Sequence, residues 1–200
     1  MQAAQIRRRV AINFVAVLVS VSAASGSQPT AILLANVLGE NVDPAAYLVS
    51  EKYDGVRAIW DGKILRFRSG RTVNAPAWFI AKLPVDKLDG ELWLNRGAFE
   101  KLSGYVRKST PLDEDWRQIK YMVFEHPDGA GTFAERYARL REIVAGANWP
   151  QLIAVEQYKI ADRVVLKRQL DEVVKHGGEG LMLHLADAPY VTGRSDVLLS

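Results

Sequence analysis

The chain contains no cysteine, which excludes disulfides and thiolate-bound metals and lets the protein stand in an oxidising compartment without mispairing. Histidine is almost as scarce. His126, His176 and His184 are the only three in 200 residues and lack ligand spacing, so loop or core roles are expected for them rather than a metal centre. Excess charge of one sign is small: Lys and Arg outnumber Asp and Glu by three, a balance that permits a nucleic-acid partner without demanding one. The five tryptophans are not interleaved with Lys or Arg in one stretch, so they form no stacking ladder for single strands. Repeats, low-complexity tracts and internal linkers are absent. What remains is 48% hydrophobic and 24% charged, ordinary for a single globular domain with a real core.

The N-terminus has a composition of its own. Arg7-Arg8-Arg9 precedes the apolar run VAINFVAVLV and then SVSAASGS, with Val21-Ser22-Ala23 fitting the small-residue cleavage rule. The run is short of the about 20 residues that span a bilayer. A secretory leader over 1–23 is therefore expected, with export to the periplasm and a mature domain over 24–200.

Beyond the leader, VRAIW and KILRF flank Asp61-Gly62, a strong signal for a two-residue hairpin. LDGELWL, IKYMVFE, QLIAVEQYKI and GLMLHL read as further strands. Thr132 and Glu135 form a capping box for a helix over 132 to about 147, on which Phe133, Tyr137, Leu140 and Val144 repeat at helical spacing. A second helix is expected from about 162 to 175, with Leu166, Leu170, Val173 and Val174 on one face and His176-Gly177-Gly178 ending it. Hairpins with irregularly placed helices make an α+β pattern rather than strict βαβ alternation.

The chemistry-bearing stretch is KYDGVR. Its Asp-Gly pair has the composition of a turn, and similar pairs occur at 61–62, 89–90 and 128–129. Alone, Lys52 reads as a solvated lysine. An amine can also attack phosphorus when unprotonated, and Arg57 carries a fork that suits a phosphate or ribose. Two acids keep it company. Glu91 lies in LDGELW and Glu179 in GGEGLM, each beside an apolar strand where a carboxylate is costly unless it faces a cleft. Two such carboxylates can hold a divalent cation through oxygen.

With these residues in place, the sequence resembles the ATP-dependent DNA ligases of the covalent nucleotidyltransferase superfamily, in particular the small bacterial ligases exported to the periplasm. KYDGVR, RFRSGR, DGELW, YMVFE and EGLM match their motifs in order, and the likeness runs over about 33–199. The resemblance implies an α+β nucleotidyltransferase (ATP-grasp-like) adenylation domain of antiparallel sheets flanked by helices. It implies Lys52 as the nucleophile that takes AMP from ATP. Arg57, Arg68, Glu91, Phe124 and Glu179 are implied to bind the nucleotide, with Phe124 stacked on the purine. Glu91 and Glu179 are implied to hold Mg2+ or Mn2+, and Ser103 and Arg107 to lie near DNA. The implied substrate is nicked double-stranded DNA, sealed in repair, recombination or replication by a monomer.

Two positions depart from the family pattern. Phe124-Glu125 stands where the family has Phe-Asp, which keeps the charge and changes its reach. The family's last motif, a strand bearing two lysines after a GRS segment, is reached here as GRSDVLLS at residue 200, and its lysines and the OB domain that follows in the family are expected to be missing. A C-terminally incomplete domain with weak nick sealing is therefore expected. The alternatives are a catalytically impaired remnant that binds nucleotide at most, and an RNA ligase or capping-type nucleotidyltransferase.

Overall fold

The computed structural model describes residues 28–200; the leader expected over 1–23 lies outside them. In chain order the elements are β1 (Leu33–Asn36), β2 (Tyr47–Lys52), β3 (Val56–Trp60), β4 (Leu65–Phe67), α1 (Ala77–Ala81), β5 (Leu88–Trp93), α2 (Phe99–Val106), α3 (Asp113–Trp116), β6 (Lys120–Glu125), α4 (Phe133–Ala147), β7 (Leu152–Ala154), β8 (Tyr158–Lys159), α5 (Arg163–Lys175), β9 (Gly180–Leu185) and β10 (Gly193–Leu199). The strands form two five-stranded sheets, one in the order β1-β10-β9-β2-β8 and the other β4-β3-β5-β6-β7. The α+β expectation holds. Pairing is mostly antiparallel, as expected, but each sheet also takes one parallel pair, β1 with β10 and β6 with β7.

Each sheet has its own core. In the second sheet, alternation sends Ala58, Trp60, Leu88 and Leu92 to a core completed by α1, α2 and α4, through Phe79, Leu102 and Leu140. In the first sheet, Val49, Leu181 and Leu183 pack on α5 through Leu166 and Val173. The opposite faces of the two sheets are free of these cores and look onto a shared cleft.

The long helices start and stop as their ends dictate. Thr132 accepts from the Glu135 amide at 3.3 Å, while the Thr132 amide donates to the Glu135 carboxylate at 2.8 Å. Asp162 accepts from the Val165 amide at 2.9 Å to open α5. Gly177, at φ 80°, follows its C-terminus. On α5 the expected apolar face is narrower than its spacing implies. Leu166 and Val173 are buried, but Leu170 and Val174 are 38% and 52% exposed, because the helix meets β9 along the seven-residue line between the buried pair.

Asp61-Gly62 closes a four-residue rather than a two-residue loop, with Trp60 opposite Leu65 and Asp61 capping the amides of Lys63 and Ile64 at 2.9 and 2.8 Å. QLIAVEQYKI is two strands, not one: β7 pairs with β6 in one sheet and β8 with β2 in the other, and residues 155–157 carry the chain across. KYDGVR does the same in reverse, since Lys52 ends β2 and Val56 begins β3. Gly55 is required at this second crossing. A Cβ there would sit 2.5 Å from the Leu92 carbonyl oxygen and 3.0 Å from the Glu91 Cβ.

Candidate active site

The cleft holds a cavity of about 350 Å³. Its first wall is one face of the first sheet: Ser50 and Lys52 on β2, paired with Met182 and Gly180 on β9, with His184 further along. The second wall comes from the other sheet, where Arg57 on β3 lies opposite Glu91 on β5, and Asp89 and Phe124 complete it. Alternation puts Phe124 on the cleft face, since Tyr121 and Val123 face the core. Asp89 pairs with Glu125 and Gly90 with Val123, which leaves Phe124 unpaired between them in a β-bulge.

Arg57 is held rather than free. Its Nε and Nη2 donate to the two oxygens of Asp89 at 3.0 and 2.7 Å, Nη2 also reaches the Leu33 carbonyl at 3.0 Å, and the guanidinium lies 5.2 Å from the Phe124 ring centre. That leaves Nη1 for a ligand. Burial works against its charge, but Asp89 outweighs it and holds the guanidinium above its ordinary value. Asp89, itself 1% exposed, escaped the sequence reading because an acid in an Asp-Gly pair has the signature of a turn.

Glu91 is the most perturbed acid. Burial pushes it up to about 8 from an ordinary 4.5; Arg57 opposes the shift, and Asp89, Glu179 and Asp54 add to it. Its Oε2 is buried without a hydrogen-bond partner. Because the folded pKa lies above the ordinary one, the proton on Glu91 favours the fold. That contribution is complete below pH 4.5 and is lost as pH rises through 8. Glu91→Gln, uncharged throughout, is expected to match the parent in acid and to exceed it at pH 9 by on the order of a few kcal/mol. Denaturant unfolding in EDTA at pH 5 and pH 9 measures this, and a difference that ignores pH contradicts it.

Lys52 and Glu179 form an ion pair at the end of the cleft, each side chain a little over one-third exposed. Glu179 lies outside the main cavity, in an adjoining groove that Lys52 also lines. Beside them Arg96, which the sequence reading passed over, grips both oxygens of Glu51 at 2.8 Å and donates to the His176 carbonyl at 3.1 Å. The end of β2 is thereby tied to the second sheet and to the end of α5. Arg68 is exposed at the rim, joined by Arg194 from β10. Ser103 is buried within α2 and Arg107 exposed just past its end, both away from the cavity.

His184 stacks on Phe133 with ring centres 3.5 Å apart; burial, with the nearby Arg136 cation, pushes it down to about 3, so its ring is neutral. Its Nε2 is a second unpartnered buried atom, and the Gln157 Oε1 is a third. All three belong to residues lining the one cavity. Among the described residues the fourth such atom is the Trp116 indole nitrogen, in the packed core. Buried polar atoms normally have partners, so this concentration marks a place shaped for a polar ligand. Among the described residues no cluster of three His, Asp or Glu forms a metal cage. Glu91 and Glu179 lie near enough to interact, and carboxylate oxygens are of the kind that bind Mg2+ alongside phosphate oxygens and water.

No family model matches the chain. A protein named DNA ligase from Haemophilus influenzae is 36% identical over 153 residues, 76% of this chain, and the chain spans 56% of that relative's length. A solved structure from a structure-function study of Lig E DNA ligases superposes with a TM-score of 0.80 at 37% identity, covering 85% of this chain and 67% of that one. The Chlorella virus DNA ligase-adenylate superposes with a TM-score of 0.72 over 86% of this chain and 68% of its own; at 20% identity that likeness is one of fold.

Proposed function

The chain belongs to the DNA ligase family, and from that premise we propose that it joins nicks in duplex DNA through a lysyl-AMP intermediate, with 24–200 as the adenylation domain. The observation that carries the reading is the convergence of Lys52, Arg57, Glu91 and Phe124 on one cavity whose buried polar atoms lack partners. In the first step Lys52 Nζ attacks the α-phosphorus of ATP. A phosphorus–nitrogen bond forms, the bond to pyrophosphate breaks and the amine gives up a proton. In the second, an oxygen of the DNA 5′-phosphate displaces Lys52 from that phosphorus. In the third, the 3′-hydroxyl attacks the 5′-phosphorus and AMP departs.

The walls divide the labour. Phe124 offers its ring to the base, Arg57 Nη1 and the rim cations Arg68 and Arg194 meet ribose and phosphates, and Glu179 releases Lys52 when the triphosphate arrives. Glu91 and Glu179 would hold a divalent cation, Mg2+ or Mn2+, which would neutralise charge on the phosphates when bound. Arg107 meets the DNA backbone from the end of α2, and Ser103 supports that helix from within. The leader read over 1–23 makes the periplasm the working compartment, which fractionation and N-terminal sequencing of the mature protein test.

The experiment is incubation of the chain with α-labelled ATP and Mg2+, then intact-mass and peptide analysis, followed by nicked DNA and nicked RNA offered side by side. One AMP on the peptide carrying Lys52, transferred to nicked DNA, is expected. An adduct elsewhere, or preferred joining of RNA, overturns the reading.

A further inference from the structure

Gln157 lines the cavity and has no part in the steps proposed for it. It lies on the segment that crosses from one sheet to the other, and its backbone is fixed on both sides. The Val155 amide donates to the Val123 carbonyl at 2.8 Å, the Gln157 amide donates to the Tyr137 hydroxyl at 3.2 Å, and Tyr158 pairs with Val49. Ser50, one residue beyond Val49 on β2, lines the same cavity. From this fixed backbone the side chain lines the cavity, and its Oε1 is buried without a partner. A buried acceptor in that state costs free energy until something donates to it.

The cavity's chemistry limits what that donor is. Of the cations that suit phosphates, Arg68 and Arg194 are exposed at the rim, Lys52 sits at the end of β2 paired with Glu179, and Arg57 is tied to Asp89. Gln157 shares the cavity lining with the thioether of Met182, the stacked ring of His184 and the Phe124 ring. A ring system entering there presents an edge, not a phosphate. An exocyclic amine on that edge donates to Oε1. A carbonyl in the same position sets acceptor against acceptor.

We propose that Gln157 is the residue that selects a 6-aminopurine nucleotide over its 6-oxo counterpart, by accepting a hydrogen bond from the exocyclic amine. The proposal rests on the nucleotide reading of this cavity. It predicts discrimination of about tenfold or more against a base lacking the amine, because the acceptor is then left buried and unpaired. A rotated amide would donate instead and favour the 6-oxo base, so the two arrangements predict opposite preferences.

The test uses nucleotides that cannot react. The full chain and its Gln157→Met variant, near in shape but without the amide, are titrated calorimetrically with AMP, purine riboside 5′-monophosphate and IMP. The parent is expected to bind AMP about tenfold or more tightly than the other two. Gln157→Met is expected to bind all three alike, at the parent's affinity for the purine riboside, which also reports that the cavity is intact. A variant that keeps the parent's preference for AMP, or a parent that binds IMP as tightly as AMP, overturns the proposal and leaves the nucleotide reading standing. A parent that binds none of the three overturns both.

Discussion

Replacing Lys52 with arginine is expected to lower formation of the AMP adduct by about 1,000-fold or more, the scale on which removal of a covalent nucleophile acts, while AMP binding changes only a few-fold. Arginine keeps the positive charge and the approximate length of the side chain, so its pairing with Glu179 and its attraction for phosphate persist. What it cannot do is shed a proton near neutral pH and offer a lone pair to phosphorus. The ground state supports a strict requirement for this one amine. Lys52 ends β2 at the junction of the main cavity and the adjoining groove, and Glu179 holds its ammonium before the triphosphate enters. Arg96, gripping Glu51 next in the chain, fixes the strand end from which it projects. Glu179→Gln is expected to cost less than Lys52→Arg, since it removes the partner and not the attacking atom. Intact-mass measurement of the adduct in both variants checks the order. A persistent adduct in Lys52→Arg assigns the chemistry to another side chain and defeats the mechanism.

How far this site is legible in the sequence depends on how local each feature is. Thr132 and Glu135, Asp162, and the glycines around Glu179 act within a few residues of themselves, so α4, α5 and the entry to β9 can be read from their own text. Lys52 and Arg57 sit in one short stretch and are found together. Yet that stretch spans two sheets, and only β2 pairing with β9 and β3 with β5 reveals it. QLIAVEQYKI is misread for the same reason: its β-rich composition is uniform, while the partners of its two halves lie far off in the chain and in different sheets. The short helices α1, α2 and α3 lack side-chain caps, so their ends carry no sequence mark; they are held by burying Phe79, Leu102 and Trp116. Asp89 and Gln157 are invisible for a third reason. Their importance comes from what they touch or fail to touch, Arg57 in one case and nothing in the other.

Breaking the Glu125–Arg136 pair is the stability change with the largest expected effect, about 3–5 kcal/mol for Arg136→Ala or Glu125→Ala. Both residues are buried, at 3% and 1% exposure. The guanidinium of Arg136 donates to both carboxylate oxygens at 2.9 Å, and its Nη1 donates to the Gly131 and Ala188 carbonyls at 3.0 Å. One side chain on α4 thus holds β6, in the second sheet, and the segment following β9, in the first. The glutamate that stands where the family pattern has aspartate makes this bond, on the residue after Phe124, so the altered reach serves the frame around the cavity. Burial, with the nearby Asp89 charge, pushes Glu125 up from its ordinary value, and the Arg136 fork works against that; with the fork removed, a carboxylate with no cation stays inside. Natural domains have only about 5–15 kcal/mol to lose, so either single variant approaches unfolding at moderate temperature. Glu125→Leu with Arg136→Met leaves no stranded charge and is expected to lose less than either alanine variant. Urea denaturation of the four proteins gives the comparison, and single variants within about 1 kcal/mol of the parent would show that the pair is not what joins the two sheets.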